Sequence, residues 1–308
     1  MVMKKPNYEV MQSFSLKNIP DLDICVLGAL EFFSGQKLPK ININRKKTIL
    51  VLGSGNALDT GRMIFSDYHA HFESESTYKQ KLKNLKFSLA VLISASGEKH
   101  APKIAKHLKS KKIKTILFTN NSKAPAAKFA SETLVFPKQR EPYTYNTSTY
   151  ISMILGQTHE DPKKIYRHIK KIDKLIPKDL SKYEAFYFIV PSKFDSIRSM
   201  FVTKFDELFG PKITGRVFTK EQTKHAKTVI SSDKELFVSF GKKNINYGTK
   251  RLNIPLPKNT DYGTIMTIGY YLIGKIQKQD PAFFKRNIVK YTDKASKIFK
   301  QKINPIVE

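Results

Sequence analysis

Residues 47–54 (KTILVLGS) join a basic edge to an unbroken apolar run and then to two small residues. An apolar run without alternation is how a strand reads when both of its faces are covered, as in a parallel sheet. The pattern returns at 85–96 (LKFSLAVLISAS), at 115–119 (TILFT, closed by Asn120, Asn121 and Ser122) and at 133–136 (TLVF, stopped by Pro137). Helical spacing lies between these runs. Residues 101–110 (APKIAKHLKS) put Ile104, Ala105 and Leu108 on one face with lysines opposite, and 125–130 (PAAKFA) form a shorter helix. Strands alternating with helices predict an α/β fold, a doubly wound parallel sheet flanked by helices.

The pattern then restarts. Residues 160–182 are Lys-rich and interrupted by Pro162 and Pro177, which reads as a connecting helix and linker. Strands are expected at 185–190 (AFYFIV), near 215–218, at 235–240 (ELFVSF) and at 251–257, with a helix over 196–208. Two α/β units in series suggest a structural duplication, with a first domain over 1–170, including an N-terminal helical segment, and a second over 171–308.

Composition narrows the class. The 308 residues can hold two domains of roughly 150 residues or one large one. With 40% apolar and 11% aromatic residues, the chain is neither disordered nor dependent on covalent staples. A single cysteine, Cys25, excludes an intramolecular disulfide and a cysteine-based zinc site. There is no apolar run of about 18 residues, and residues 1–6 (MVMKKP) lack the apolar stretch of a secretory signal. A soluble, cytoplasmic protein without membrane contact is expected.

The formal net charge of +29 raises a nucleic-acid reading, but 47 of the 55 basic residues are lysine and only 8 are arginine, spread along the whole chain. Recognition surfaces concentrate arginine for bidentate contacts, so no nucleic-acid partner is expected. A positive field instead favours capture of anionic, phosphorylated substrates. His69 and His71, with Glu73 and Glu75 nearby, have the closest approach to metal-ligand spacing. Neither a metal nor a cofactor is expected.

In open parallel sheets, ligands bind at the carboxyl ends of the strands. Two loops qualify: Gly53, Ser54, Gly55 and Asn56 after the first strand, and Ser94, Ala95, Ser96, Gly97, Glu98 and Lys99 after the second. Hydroxyls, flexible backbone N–H groups and a following helix can together cradle an anion. The same glycines also suit plain strand-to-helix turns, and neither loop is a nucleotide fingerprint. A polar cluster, residues 143–149 (YTYNTST), opens the next helix and offers further hydroxyls, Thr147 among them.

These residues resemble a family. ISASGE (93–98) followed by KTILFTNNSKAPAAKFA (114–130) is similar to the signature of sugar isomerase (SIS) domains, where S-x-S-G-E-T binds a sugar phosphate. Gly53–Asn56 falls at the family's first phosphate loop, and EPYTYNTSTY (141–150) resembles its next polar segment. More faintly, the second half resembles the second SIS domain of glutamine–fructose-6-phosphate aminotransferases. Lys204, Phe205, Asp206 and Glu207 match K-x-x-E, Glu221 to His225 (EQTKH) fall where the family has ELKHG, and KRNIVK (285–290) resembles P-R-N-L-A-K, whose final lysine is catalytic in the family.

The resemblance implies two tandem SIS domains and a hexose-phosphate substrate, fructose 6-phosphate or glucosamine 6-phosphate. It implies phosphate contacts from Ser54, Gly55, Asn56, Ser94, Ala95, Ser96, Lys99 and Thr147. Glu207 would be the base moving a proton between C1 and C2, with Lys204 beside it on the same helix face. His225 would open the sugar ring, since an imidazole titrates near neutral pH. Lys290 would form a Schiff base at C2. In the resembling enzymes the histidine comes from a partner subunit, which implies a homodimer sharing its active sites.

Each residue also has a plainer reading: a Lys/Glu pair at i,i+3 as a solvated ion pair, His225 as a surface residue, and Lys290 as one lysine among 47. The pattern departs from the family in three places. Lys99 stands where a phosphate-binding threonine is usual, Ala226 replaces the glycine after the histidine, and no glutaminase domain or Cys at position 2 is present. Glutamine is therefore not expected as ammonia source within this chain. Phosphoglucose/phosphomannose isomerisation and a non-catalytic sugar-phosphate regulator stand as alternatives.

Overall fold

The computed structural model describes residues 6–279 and 283–308. Residues 1–5, part of the stretch read for a leader, lie outside the described residues. The chain opens with α1 (Asn7–Ser13) and α2 (Leu22–Phe33). It then alternates β1 (Ile49–Leu52), α3 (Asn56–Ile64), β2 (Ala70–Glu73), α4 (Tyr78–Asn84), β3 (Leu89–Ile93), α5 (Ala101–Ser110), β4 (Lys114–Thr119) and β5 (Glu132–Val135). Next come β6 (Glu141–Pro142), α6 (Thr147–Thr158), α7 (Pro162–Ile172), β7 (Ala185–Val190) and α8 (Arg198–Phe209). The chain finishes with β8 (Thr214–Thr219), α9 (Lys220–Thr223), β9 (Glu235–Phe240), β10 (Lys250–Ile254), α10 (Tyr262–Gln279), α11 (Phe283–Phe299) and β11 (Ile306–Val307).

The first sheet is wholly parallel in the order β2-β1-β3-β4-β5, with Val51 opposite Val91. Every residue of β1 and β3 is buried, as their unbroken apolar runs required. The edge strand β2 (AHFE) was missed by the sequence reading because it has no such run. Its four residues are only half-buried. The segment 125–130 is a tight 3-10 turn, not an α-helix.

The second sheet is also parallel, in the order β8-β7-β9-β10. Read from its first strand, this is the same winding as the first sheet without a fifth strand, and it is the flavodoxin-like order. Its core is aromatic: Phe188 meets Phe205 at 5.3 Å and Phe240 at 5.2 Å between ring centres.

The sequence reading set one domain boundary near 170, with the N-terminal helices in the first domain. The compact units divide otherwise. One comprises the chain up to Gly35, Gln139–Ser148 and Glu160–Glu308, and the other comprises Gln36–Lys138 and Thr149–His159. The reason is the apolar surface of α2, where Leu22, Cys25, Val26, Leu27, Ala29, Leu30 and Phe33 are all buried. A helix apolar all round needs neighbours on every side, and α2 finds α1, α7 and α10.

The helix α10 is likewise buried from Tyr262 to Ile273 and was not recognised in the sequence. Its polar end is satisfied from the same unit. The Gln277 side-chain carbonyl accepts from the Leu22 N–H at 2.9 Å, and its amide donates to the Tyr145 hydroxyl at 2.9 Å. Where α10 crosses α2, a Cβ on Gly274 would lie 2.0 Å from the Asp23 backbone nitrogen. Gly274→Ala should therefore destabilise the protein by about 1–3 kcal/mol despite alanine's better helix propensity, because the obstacle is backbone. The midpoint of a urea unfolding curve measures this.

Candidate functional site

Both Ser/Gly loops sit at the carboxyl ends of neighbouring strands, β1 and β3. This is the point where the strand order reverses, the usual ligand position in such sheets. Gly55, exposed before α3, has φ +52° and ψ −127°, a conformation that essentially only glycine adopts. Gly97 has φ +67°, and a Cβ there would come 2.5 Å from the Ala124 Cβ.

The second loop is braced from within and from below. The Ser94 hydroxyl oxygen accepts from the Gly97 N–H at 3.2 Å, and the Ser96 oxygen accepts from the Glu98 N–H at 3.3 Å. The Ala95 carbonyl accepts from the Asn120 N–H and the Thr119 hydroxyl, both at 2.9 Å, and the Ser96 carbonyl accepts from the Asn121 amide at 3.0 Å. The Thr-Asn-Asn run after β4 therefore holds the backbone of the loop after β3. Ser96 and Lys99 are exposed, and Ser94 and Ala95 are partly exposed.

The first loop is less open to an anion. Ser54 donates to the Glu75 carboxylate at 3.2 Å, and the other Glu75 oxygen is buried without a hydrogen-bond partner. Asn56, partly buried, starts α3.

In the unit that carries the second sheet, the outstanding group is Lys204. Its side chain has 0% exposure, against 20% for Glu207, and the two form an ion pair of 2.7 Å on α8. The ammonium also donates to the Thr144 carbonyl, and it lies 5.3 Å from the centre of the Tyr270 ring. A buried ammonium is tolerated only when such acceptors surround it. Spacing showed the pair, but its burial was not readable, and the solvated ion-pair alternative does not describe it.

Thr144 belongs to a strained turn. Its φ is +71°, unusual for a β-branched residue, and Asn146 follows at +49°. The turn leads into α6, whose first N–H groups are capped by a carboxylate: Glu141 accepts from Thr147 N–H at 2.8 Å and from Ser148 N–H at 3.2 Å. Those donors are thereby taken. What remains of Thr147 for a ligand is its hydroxyl, which is buried and has no hydrogen-bond partner.

Two phenols feel the charge of Glu207. Burial pushes Tyr143 up to about 12, with Tyr291 and the Glu207 charge adding to it. Burial and Glu207 likewise raise Tyr291, against a hydrogen bond to Thr144 that lowers it. Their rings lie 6.3 Å apart. Tyr143 was part of the polar cluster noted in the sequence. Tyr291 was missed, although it follows Lys290 directly.

Two further expected residues, His225 and Lys290, are exposed. His225 is exposed just beyond α9. Ala226 beside it has φ +57°, so the left-handed backbone that favours glycine is kept with an alanine in place. Lys290 is exposed on α11, while Lys285 of the same stretch pairs with Asp21 at 2.7 Å. Among the described residues no group of acidic, histidine and cysteine side chains could hold a metal, and no helix is long and apolar enough to cross a membrane.

Residues 42–155 match the family model of the SIS domain. This is the segment that carries both Ser/Gly loops. No curated protein matches the chain in sequence. Solved structures do match it in shape. Glucosamine-6-phosphate deaminase from Thermotoga maritima superposes with a TM-score of 0.61 at 16% identity, covering 84% of this chain and 93% of that one. The C-terminal domain of glucosamine-fructose-6-phosphate aminotransferase from Francisella tularensis gives 0.59 at 11% identity, covering 90% and 97%. A candidate phosphosugar isomerase from Clostridium difficile 630 gives 0.61 at 13% identity, covering 89% and 98%. At these identities the likeness is one of fold.

Two measurements test the cluster. Lys204→Met leaves Glu207 and the Thr144 carbonyl without their cation and should cost about 2–4 kcal/mol of stability, reduced from a fully buried pair because Glu207 is partly wet. Urea unfolding reads that loss. Spectrophotometric titration at 295 nm should show a tyrosine, absent in Tyr143→Phe, ionising at about pH 12. A phenol raised in the folded state is protonated there after the unfolded chain has released its proton. Its contribution to stability is therefore complete below about pH 10 and is lost as the pH climbs to about 12.

Proposed function

We propose that the protein is a sugar-phosphate isomerase of the SIS type acting on a hexose 6-phosphate, fructose 6-phosphate or glucosamine 6-phosphate, with the C-terminal half as a second SIS domain. The shared strand order of the two sheets supports the second domain. The observation that carries the activity is the Lys204–Glu207 pair, a carboxylate fixed by a fully buried ammonium.

The loops after β1 and β3 take the phosphate, through the hydroxyls and backbone of Ser94, Ala95 and Ser96, with Ser54, Gly55, Asn56, Lys99 and Thr147 as further contacts. Glu207 removes a proton from C1 of the ketose while the C2 carbonyl oxygen gains charge; the O1 hydroxyl proton passes to O2, and Glu207 returns its proton to C2, leaving C1 as the aldehyde of the aldose. The intermediate is an enediol(ate), and no electron leaves the substrate. Lys204, without solvent exposure, positions Glu207 and the Thr144 turn rather than touching the sugar. His225 would serve ring opening from a partner protomer in a homodimer.

Lys290 is assigned to the aminosugar branch, in which its amine condenses with the C2 carbonyl and releases water. Such a lysine draws on dry surroundings, and the exposure of Lys290 favours plain isomerisation over this branch. The exposure of both His225 and Lys290 also favours a second reading, a non-catalytic sugar-phosphate regulator.

Incubation with fructose 6-phosphate in deuterated water, followed by NMR with and without ammonium, separates these. Deuterium should enter C1 with the wild-type protein, and Glu207→Gln should slow its entry by about 10²–10⁴-fold. Glucosamine 6-phosphate appearing only with ammonium would move the reaction to the aminosugar branch. Saturable sugar-phosphate binding without exchange would overturn the enzyme and leave the regulator.

A further inference from the structure

The second sheet has a cleft of its own. A cavity of about 530 Å³ opens at the carboxyl ends of β7, β8 and β9, a volume within the range that holds small-molecule ligands. In the order β8-β7-β9-β10 the winding reverses between β7 and β9. The cleft therefore stands where the first sheet carries its Ser/Gly loops, and where ligands bind in sheets of this topology.

Its lining is cationic. Lys220, Lys242 and Lys243 border it, and among the described residues none of the three has an ion pair. The one opposing charge on the wall, Glu221, is bonded to the Ser192 hydroxyl. The loop presenting Lys242 and Lys243 is fixed in place. The Ser239 hydroxyl donates to the Lys242 carbonyl, and the buried Asn244 accepts from the Tyr247 N–H at 2.9 Å and donates to the Tyr247 carbonyl at 2.8 Å. Asn244 is itself held by Asn253, which accepts from its N–H at 2.7 Å. Tyr247 adds an aromatic wall, packed on Tyr187 and Phe237.

We infer that this cleft is a second anion site, taking the phosphate of a phosphorylated small molecule with its organic part against Tyr247. Three ammoniums on a rigid loop-lined pocket, facing one committed carboxylate, select a phosphate ester over a neutral sugar. The site is separate from the proton chemistry assigned to Glu207 and does not rest on it.

Calorimetric titration of the full chain tests this with three probes: inorganic phosphate, fructose 6-phosphate and adenosine 5′-monophosphate. One binding event should weaken about tenfold or more in Lys242→Ala/Lys243→Ala and persist in Ser94→Ala/Ser96→Ala. Deuterium exchange should be unchanged in the lysine variant, so a failed isomerase reading and a failed second site give different results. The sugar ester or the nucleotide, whichever binds more tightly than inorganic phosphate, identifies the ligand class. Equal weakening in Lys163→Ala/Lys164→Ala, an exposed pair on α7, would reduce the effect to diffuse charge and overturn the site. Binding of inorganic phosphate with no gain from either ester would leave an adventitious ion only, which also overturns it.

Discussion

A lysine ammonium held entirely out of water sets the constraints in the C-terminal half. Moving such a charge from solvent into protein costs several kcal/mol unless acceptors replace the lost water. Lys204 obtains them from a carboxylate one helical turn away, from a backbone carbonyl and from the face of an aromatic ring. Each demand fixes something else. The carbonyl belongs to Thr144, which reaches the ammonium from a left-handed conformation that a β-branched residue otherwise avoids. The turn so formed delivers the chain to α6, where Glu141 closes the helix end. The ring belongs to Tyr270 on α10, the most buried helix of the unit. Glu207 is thus held by the same contacts that keep Lys204 folded in.

That carboxylate, 20% exposed, is felt by two partly buried phenols. Both Tyr143 and Tyr291 resist ionisation because burial and the negative charge of Glu207 oppose it. Neutral phenols are hydrogen-bond donors toward a carboxylate or a developing oxyanion. The ion pair thus fixes where the Glu207 carboxylate sits on α8.

Much of this was legible in the sequence, for reasons specific to each element. The strands β1, β3 and β7 are continuous apolar runs, and burial on both faces leaves that mark directly. β2 (AHFE) lies at an edge and leaves none. α2 and α10 are apolar on all sides, so they lack the one-sided periodicity by which a surface helix is recognised. Their association also put the N-terminal helices into the unit of the C-terminal half, a long-range pairing that no local pattern encodes. At the site, spacing shows that Lys204 and Glu207 share a helix face. It does not show that one is sealed and the other wet, because that depends on Thr144 and Tyr270, far away in the chain.

The charge of the chain is a case where the total misleads and the placement informs. A surplus of +29 carried mainly by lysine describes a solvated surface in general. At the carboxyl ends of β7, β8 and β9 the same residue type does something particular. There the loop after β9 is tied by Asn244 and Ser239 rather than left loose, and its two exposed lysines border a pocket. Parallel winding aligns strand ends, and the reversal of strand order separates the loops that follow them, so a crevice at that point is a consequence of topology. The first sheet fills its crevice edge with serines and glycines, whose hydroxyls and backbone suit close approach by an anion. The second fills it with ammoniums on a braced loop, which act at longer range and tolerate more varied geometry. Two sheets of one winding order thus present chemically different strand ends.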